Sequence, residues 1–313
     1  MPELPEVETT RRGIEPHVTG AIVSEVIVRR GDLRQPVSAS LSGIEGQHIS
    51  GVRRRAKYLL LDMADGSSVL LHLGMSGNLR LVAPNEGWKK HDHLGITLGK
   101  DLQLRLHDPR RFGLVLHLME TDPLSHPLLR DLGPEPLEDP FTAGYLKSAC
   151  AKRSSAIKLV IMDNHVVVGV GNIYASEALF RAGIRPLSVA RRLSLPRLEK
   201  LVTAIRAVLT DAIAAGGTTL RDFLNSDGAP GYFQPKPPCL WPRGRALPRL
   251  RWRDPQCGVR SARDVLVPAL PALGRGSKRC LRLEAATTAH RRGACGWKPQ
   301  LRCNYCAAIR SVR

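Results

Sequence analysis

Residues 58–72 read YLLLDMADGSSVLLH, two short apolar segments that an Asp-Gly turn separates. Such segments are typical of β-strands joined in a hairpin. Further short segments, many of them alternating, stand at Ala21–Val28, Leu79–Val82, His93–Leu98, Leu102–Leu106 and Gly113–Leu118. Because Gly, Pro and Asp turns separate them, residues 1–130 predict an antiparallel β-sandwich or barrel.

Helical patterns stand on both sides of this β region. Residues 5–14 predict a helix, with Pro5 in its first turn, Glu6 and Glu8 at the positive end of its dipole, and Gly13 as its stop. After the Pro-rich segment 132–137, an apolar face of period 3.6 runs through residues 195–212. The sequence therefore predicts an α+β fold, an N-terminal antiparallel β-sandwich followed by a helical domain.

The chain divides into four parts on these patterns. We expect a β-sandwich domain at 1–130, a linker at 131–150, a helical domain at 151–234 and a basic, Arg- and Pro-rich tail at 235–313. Helix 195–212 has Ser194 as a plausible cap and Gly216-Gly217 as its stop.

The composition excludes several classes of protein. Of 313 residues, 43% are hydrophobic, which argues against a disordered chain, and no stretch has the ~20 apolar residues of a membrane span. The first residues are acidic and Pro-rich, unlike a signal peptide, so we expect a cytoplasmic protein with no membrane partner.

The net charge of +19 suggests a polyanionic partner, although a merely basic surface would give the same sum. Residues 235–313 hold 15 Arg and 3 Lys against 2 Asp and 1 Glu, a charge of +15, which leaves +4 for residues 1–234. Six of the seven cysteines also lie in this tail. An odd number of cysteines without a secretory signal favours a reducing compartment.

Pro2 and Glu3 form a candidate catalytic pair. Removal of Met1 would leave the secondary amine of Pro2 as a nucleophile for a sugar carbon, because α-amino groups titrate near pH ~8. Attack by this amine would give an iminium ion, and Glu3 beside it could act as a general acid or base. Taken alone, the same residues could simply start a helix.

A glycine-rich junction precedes another expected helix. Residues 166–177 read VVVGVGNIYASE, and backbone N–H groups at the helix start near Asn172 could hold a phosphate. Glycine turns between helices are more often packing devices, so the pattern alone leaves both interpretations open.

The opening MPELPEVETTRRG resembles that of bacterial formamidopyrimidine-DNA glycosylases. Eight further blocks match the family in order and approximate spacing: Arg54–Leu61, His72–Gly77, Lys90–His93, Asp108–Gly113, Leu132–Pro136, Met162–Asn164, Val168–Glu177, and Gly216–Leu220 through Gly231–Gln234. The resemblance covers residues 1–234 and implies a helix-two-turn-helix in the helical domain.

The resemblance implies a bifunctional enzyme of base-excision repair. It would remove oxidised purines such as 8-oxoguanine and formamidopyrimidines from double-stranded DNA, act on abasic sites, and then cleave the strand by β/δ-elimination. Pro2 would be the Schiff-base nucleophile, Glu3 would protonate the sugar, and Lys57 would serve β-elimination at the phosphate. We expect a monomer and no cofactor for the chemistry.

The resemblance also implies a set of DNA contacts. Met75, Arg110 and Phe112 match the triad that fills the gap left by a flipped base, for which a stacking plug, a hydrogen-bonding guanidinium and an aromatic wedge are suited. Leu4 and this triad favour the purine branch over the endonuclease VIII branch. Four further residues match family positions that lie near DNA phosphates or the lesion: His91, Arg153, Lys158 and Asn172. Seen singly, these residues could be core or surface residues, and His91 could bind a metal.

The resemblance ends near Gln234. The family continues with a zinc finger of two Cys-x-x-Cys pairs, whereas only Cys303-Asn-Tyr-Cys306 has that spacing here, so the finger is absent or scrambled and we expect no metal site. We hypothesise a shifted reading frame after codon 234, which translation of the other frames would test. The alternatives are a real basic extension that binds DNA nonspecifically, and a DNA-binding remnant that has lost catalysis.

Overall fold

Within residues 2–120 and 122–217, which the computed structural model describes, eight strands form two four-stranded antiparallel sheets. The strands are β1 (Val23–Val28), β2 (Ile49–Arg55), β3 (Tyr58–Met63), β4 (Ser68–His72), β5 (Asn78–Val82), β6 (Asp92–Leu98), β7 (Leu102–His107) and β8 (Leu114–Leu118). One sheet has the order β1-β6-β7-β5 and the other β2-β3-β4-β8. The predicted β-sandwich is confirmed.

Segment 58–72 forms the expected hairpin of β3 and β4. Leu59 pairs with Leu71 and Leu61 with Val69, and all four side chains join the core between the two sheets. The intervening Leu60 and Leu70 point to the other face, where they pack in a smaller cluster with Leu129. Both faces of this hairpin are buried, which explains why its segments are apolar throughout.

The sequence pattern misses β2. This strand lies at the edge of its sheet, and residues 53–55 are three consecutive arginines. Only Ile49 and Val52 of the strand are buried, so an apolar alternation is hardly visible. The three Arg side chains form ion pairs outside the apolar core, Arg53 with Asp62 and the other two with Glu135.

The helices are α1 (Leu4–Val18), α2 (Ala143–Cys150), α3 (Ile157–Ile161), α4 (Asn172–Arg181) and α5 (Leu195–Ala214), with short 3-10 helices at Ala39–Ile44, Pro123–Ser125 and Ala190–Arg192. Helix α1 packs against both β2 and α5, so it contacts the sandwich and the helical region. None of the helices in the described residues is long and apolar enough to cross a membrane.

The expectation that α1 stops at Gly13 is wrong. The helix continues to Val18, and Ile14 and Val18 are fully buried in the sandwich core. Burial of two large apolar side chains outweighs the cost of about 1 kcal/mol for a glycine inside a helix.

The helical region has its own apolar core, built from α2, α3, α4 and α5. Residues 143–150 belong to the expected linker, but they form α2, whose Leu146 and Cys150 are fully buried in this core. The linker range 131–150 is therefore too long. Helix α5 follows its predicted apolar face except at Leu195, which is 43% exposed.

The tail 235–313 lies outside the described residues, as does the end of the helical domain from residue 218. The expected loss of the zinc finger and the frameshift hypothesis both concern this tail. Within the part of the chain that the structure describes, no group of three or more His, Cys, Asp or Glu side chains is placed to hold a metal ion.

Candidate active site

The carboxylate of Glu3 is buried at the start of α4. Glu3 precedes α1 and is 2% exposed, and Pro2 beside it is also buried. The N–H of Gly171 donates to Glu3 Oε2 at 2.7 Å and that of Ile173 to Oε1 at 3.0 Å. These donors are free because the first N–H groups of a helix have no partner within it. Helix α4 thus fixes the side chain of the residue that follows Pro2.

Burial raises the pKa of the Glu3 carboxyl above its ordinary value, and the nearby Glu6 carboxylate raises it further. The positive charge of Lys57 and the backbone N–H donors partly offset this effect. Glu3 therefore keeps its proton to a higher pH than an exposed glutamate would. A carboxyl whose pKa is raised in this way is better suited to general acid catalysis than an exposed one.

Two glycines allow the close approach of Glu3 and α1 to α4. A Cβ atom at Gly171 would lie 2.6 Å from Glu3 Oε2 and closer still to Cδ and Oε1. At Gly169 the φ angle is +77°, and a Cβ atom there would lie 2.6 Å from Leu4 Cδ1. The N–H of Leu4 also donates to the carbonyl oxygen of Gly169 at 3.0 Å. The glycine-rich junction is thus needed for the placement of Glu3.

Glu6 and Tyr174 form a second buried contact next to Glu3. Glu6 is fully buried, and its Oε2 accepts from the N–H of Glu3 at 2.8 Å in a capping box. The hydroxyl of Tyr174 in α4 donates to Glu6 Oε1 at 2.6 Å. The composition of the first helical turn identifies Glu6 only as part of a helix start, but the Glu3-x-x-Glu6 spacing of a capping box is a signal that could have identified this role.

Lys57 lies in the tight turn between β2 and β3. The preceding Ala56 has a φ of +55°, a left-handed conformation that is unfavourable for alanine. Glu135 stabilises it, because its Oε1 accepts from the N–H of Ala56 at 2.7 Å. The same carboxylate receives Arg54 Nη1 at 2.7 Å and Arg55 Nη1 at 3.0 Å. The arginines of β2 thus connect the turn of Lys57 to the segment before α2.

The ammonium group of Lys57 is electrostatically coupled to Glu3. Burial lowers the pKa of Lys57, and the negative charges of Glu3 and Glu6 oppose that shift. His72, at the end of β4, has its pKa lowered to about 4 by burial and by the positive charges of Arg34 and Lys57. Its Nδ1 accepts from the N–H of Gly74 at 2.9 Å, which requires an unprotonated nitrogen. The charges of Glu3 and Lys57 thus influence each other, and Pro2 is next to Glu3 in the chain; the catalytic roles of the three residues stay predictions.

The three residues predicted to insert into DNA lie on two adjacent turns. Met75 is half-buried in the turn 73–77 after β4, whereas Arg110 and Phe112 are exposed in the loop 108–113 before β8. The Arg110 guanidinium carbon lies 5.1 Å from the centre of the Phe112 ring. The structure therefore brings the predicted triad to one surface, with 43% of Phe112 exposed.

His91 lies just before β6, in a cluster of imidazoles. Its ring centre is 5.9 Å from that of His107 and 6.3 Å from that of His93. His91 also lines an open pocket of about 390 Å³, together with basic residues that include Arg29, Arg30, Lys90 and Arg111. The positive charge of this pocket suits a phosphate.

The remaining predicted contacts lie in the helical region. Arg153 is half-buried and pairs with Asp163 at 2.8 Å, and the neighbouring positive charge is one of the causes that lower the pKa of Asp163. Lys158 is half-buried in α3, and Asn172 is the first residue of α4, adjacent to the glycine that contacts Glu3. Their roles in DNA binding stay predictions.

Two family models match the chain. The model described as the formamidopyrimidine-DNA glycosylase N-terminal domain matches residues 1–115, and the one described as the formamidopyrimidine-DNA glycosylase H2TH domain matches residues 132–224. The first match includes α1 and the strands of the sandwich as far as the start of β8, and the second includes α2 to α5.

Solved structures of related proteins have the same fold. The MutM (Fpg) protein from Thermus thermophilus superposes with a TM-score of 0.70 at 36% identity, covering 79% of this chain and 90% of that chain. A Lactococcus lactis Fpg mutant in complex with DNA that contains Fapy-dG superposes with a TM-score of 0.68 at 32% identity, covering 72% of this chain and 84% of that chain.

Curated relatives are more similar in sequence. The formamidopyrimidine-DNA glycosylase of Thioalkalivibrio sulfidiphilus is 58% identical over 235 residues, which are 75% of this chain and 86% of the relative. That of Klebsiella pneumoniae is 53% identical over 233 residues, 74% of this chain and 86% of the relative. With both family models in their expected order, these matches show that the chain belongs to the formamidopyrimidine-DNA glycosylase family of DNA-repair enzymes.

Proposed function

We propose that this chain removes oxidised purines from double-stranded DNA and cleaves the strand at the resulting abasic site. The observation that carries the proposal is the buried Glu3 carboxyl, which the N-terminus of α4 holds within the electrostatic reach of Lys57, in the residue next to Pro2. Relatives of the same fold have been crystallised with DNA that contains Fapy-dG or an abasic site. The substrate class follows from that likeness and from the Met75, Arg110 and Phe112 surface.

The first step requires a free amine at Pro2, and hence removal of Met1. The Pro2 nitrogen attacks C1′ of the damaged nucleotide, the bond from C1′ to the base breaks, and the base leaves with the bonding electron pair and takes up the proton that the Pro2 nitrogen loses. Glu3 protonates O4′ as the sugar ring opens, which gives an iminium ion between Pro2 and C1′. Its raised pKa supports this role, because the acid form is the one that can donate.

The second step is elimination. The iminium ion acidifies C2′, loss of a C2′ proton sends electrons toward C3′, and the C3′–O bond breaks with release of the 3′ phosphate. Lys57 would stabilise that phosphate as it leaves. A further proton loss at C4′ would break the C5′–O bond, and hydrolysis of the iminium ion would free Pro2. No step is routed through a metal, because the cysteine spacing of the tail does not fit a four-cysteine zinc site.

A DNA-binding remnant without catalysis is the competing function. The observation that favours it is the tail, since the match to curated relatives covers 235 of the 313 residues and 86% of the relative's length. Loss of a family DNA clamp would weaken lesion binding and slow excision even with Pro2, Glu3 and Lys57 in place. Normal excision kinetics for the purified 313-residue chain would contradict this second proposal.

Borohydride trapping separates the two functions. Sodium borohydride reduces an iminium ion to a stable amine, so an active chain incubated with an 8-oxoguanine duplex should give a covalent protein–DNA adduct. An N-terminal extension before Pro2 should abolish the adduct, Glu3→Gln should reduce it strongly, and the exposed control Asp101→Asn should leave it unchanged. DNA binding without any adduct would contradict the enzyme and support the remnant.

Lys57→Ala tests the division of labour between the steps. The variant should retain base release, because Pro2 and Glu3 are intact, and its strand cleavage at a preformed abasic site should be about 100-fold slower, within the range for loss of one group that stabilises developing negative charge. Gel assays that separate heat-labile abasic sites from cleaved strands measure both steps. Equal loss of base release and strand cleavage would contradict the assignment.

A further inference from the structure

We propose that Asp108 is a positioning residue that holds three DNA-contacting segments as one rigid unit. The segments are the turn 73–77 with Met75, the loop 108–113 with Arg110 and Phe112, and residues 90–93 with His91. The inference rests on the proposed function, since it assumes that these segments contact DNA. Asp108 itself is fully buried, so it acts through the residues that it holds.

The side chain of Asp108 connects the two inserting turns. Its Oδ1 accepts from the hydroxyl of Ser76 at 3.2 Å and from the N–H of Arg110 at 3.3 Å. Its Oδ2 accepts from the N–H of Gly113 at 2.7 Å. Ser76 follows Met75 directly, and the other two donors enclose Phe112. One carboxylate therefore binds the side chain that follows Met75, the backbone of Arg110 and the backbone that follows Phe112.

The backbone of Asp108 reaches the third segment. Its N–H donates to the carbonyl oxygen of His91 at 2.9 Å, and its own carbonyl oxygen lies 2.8 Å from His93 Nε2. The same carbonyl oxygen accepts from the N–H of Arg111 at 3.2 Å. Residues 90–93 are thus held on both sides of Asp92, and His91 is placed next to the loop of Arg110.

The two inserting turns also pack backbone against backbone. Gly74 has a φ of +64°, and a Cβ atom there would lie 2.6 Å from both the carbonyl oxygen of Phe112 and the nitrogen of Gly113. The loop turns through Arg111, whose φ of +57° is unfavourable for a residue with a side chain. Such a conformation persists only where surrounding contacts hold it. The hydrogen bonds to Asp108 are such contacts.

The consequence concerns insertion into DNA. Arg110 and Phe112 are exposed, so neighbouring side chains do little to order them, and their alignment depends on the backbone that carries them. Filling the gap of a flipped base requires that Met75, Arg110 and Phe112 enter together. A pre-formed unit loses less conformational freedom on binding than three independent loops do. Asparagine could not replace Asp108, because its side chain has a single acceptor oxygen and its amide would face an N–H donor.

The first test compares the binding of two duplexes by Asp108→Asn and the exposed control Asp101→Asn. One duplex contains a tetrahydrofuran abasic analogue and the other is undamaged. We expect Asp108→Asn to lower the affinity for the abasic duplex about tenfold. The affinity for the undamaged duplex should fall less than about twofold, since phosphate contacts dominate binding of undamaged DNA. The control should change neither. An unchanged ratio of the two affinities, or a wild-type chain with no preference for the abasic duplex, would overturn the proposal.

A double-mutant cycle separates positioning from loss of stability. In the background of Met75→Ala and Arg110→Ala, Asp108→Asn should have less than about a twofold further effect on the ratio, because the positioned side chains are already gone. An undiminished tenfold effect in that background would refute a positioning role. Ser76→Ala, which keeps the carboxylate, should lower the ratio about threefold, and it decides the question if Asp108→Asn does not fold. These binding measurements need no catalysis. Absence of a borohydride adduct would therefore contradict the proposed catalysis and leave the positioning role of Asp108 to be decided by binding.

Discussion

Replacement of Gly171 by alanine should disable the proposed chemistry while leaving the chain folded. The φ of Gly171 is −106°, a value that alanine adopts readily, so the backbone need not change. The added Cβ atom would, however, lie 2.6 Å from Glu3 Oε2 and closer still to Cδ and Oε1. Contacts of this kind are normally at least about 3.5 Å long, so the carboxyl must retreat by about 1 Å.

That displacement determines the expected size of the effect. A retreat of about 1 Å would break the hydrogen bonds that Glu3 receives from Gly171 at 2.7 Å and Ile173 at 3.0 Å. A misplacement of this size can cost about 100-fold in rate, or about 2.7 kcal/mol in activation free energy. We therefore expect Gly171→Ala to excise 8-oxoguanine about 100-fold more slowly than the wild-type chain.

The assay is single-turnover excision with enzyme in excess over an 8-oxoguanine duplex, together with thermal unfolding. Gly144→Ala in α2 is the matched control, because a Cβ atom there would meet only Thr142 Oγ1 at 3.8 Å. It should retain the full rate. If Gly171→Ala excised the base as fast as Gly144→Ala does, the claim that excision depends on the position of the Glu3 carboxyl would be refuted.

Three further variants test the surroundings of the site. Burial lowers the pKa of His72 to about 4, below its value in the unfolded chain. The free energy of unfolding should therefore fall by up to about 3 kcal/mol as the pH drops from about 6.5 to 4. His72→Gln should not show this pH-dependent loss of stability in urea titrations. Glu135→Gln should lower the unfolding free energy by about 3 kcal/mol, because the partly buried Arg55 loses its counter-charge and Arg54 keeps only that of Glu8, whereas the exposed Asp131→Asn should change it little. Tyr174→Phe should cost about 2 kcal/mol, since Glu6 loses a short hydrogen bond, and an unchanged melting temperature would contradict that role.

The fold was largely predictable from local patterns. Short segments such as 58–72 become strands because both faces of the hairpin bury apolar side chains, and α5 follows from its period of 3.6. The errors have physical causes. The edge strand β2 hides its pattern because it carries three arginines, of which Arg54 and Arg55 bond Glu135 outside the sandwich. Gly13 does not end α1 because Ile14 and Val18 are buried beyond it.

The residues of the candidate site could be predicted from the sequence, but the contacts that hold them in place could not. Pro2 and Glu3 adjoin each other in sequence, so their chemistry could be inferred directly. The donors that hold Glu3 lie in α4 and the residue before it, 168 and 170 residues further along the chain, and no local pattern connects them. Asp108 is visible in the sequence only as part of a matching block, because its role depends on contacts with Ser76 and His91 that only the folded chain creates.

The proposed chemistry is tested most directly by locating the residue to which borohydride traps DNA on the purified 313-residue chain. After reduction in the presence of an 8-oxoguanine duplex, nuclease digestion and peptide mass spectrometry locate the modified residue. We predict a single sugar-derived modification at the nitrogen of Pro2, in a chain that has lost Met1. A modification at Lys57 or another lysine, or DNA binding with no modification, would contradict the central claim.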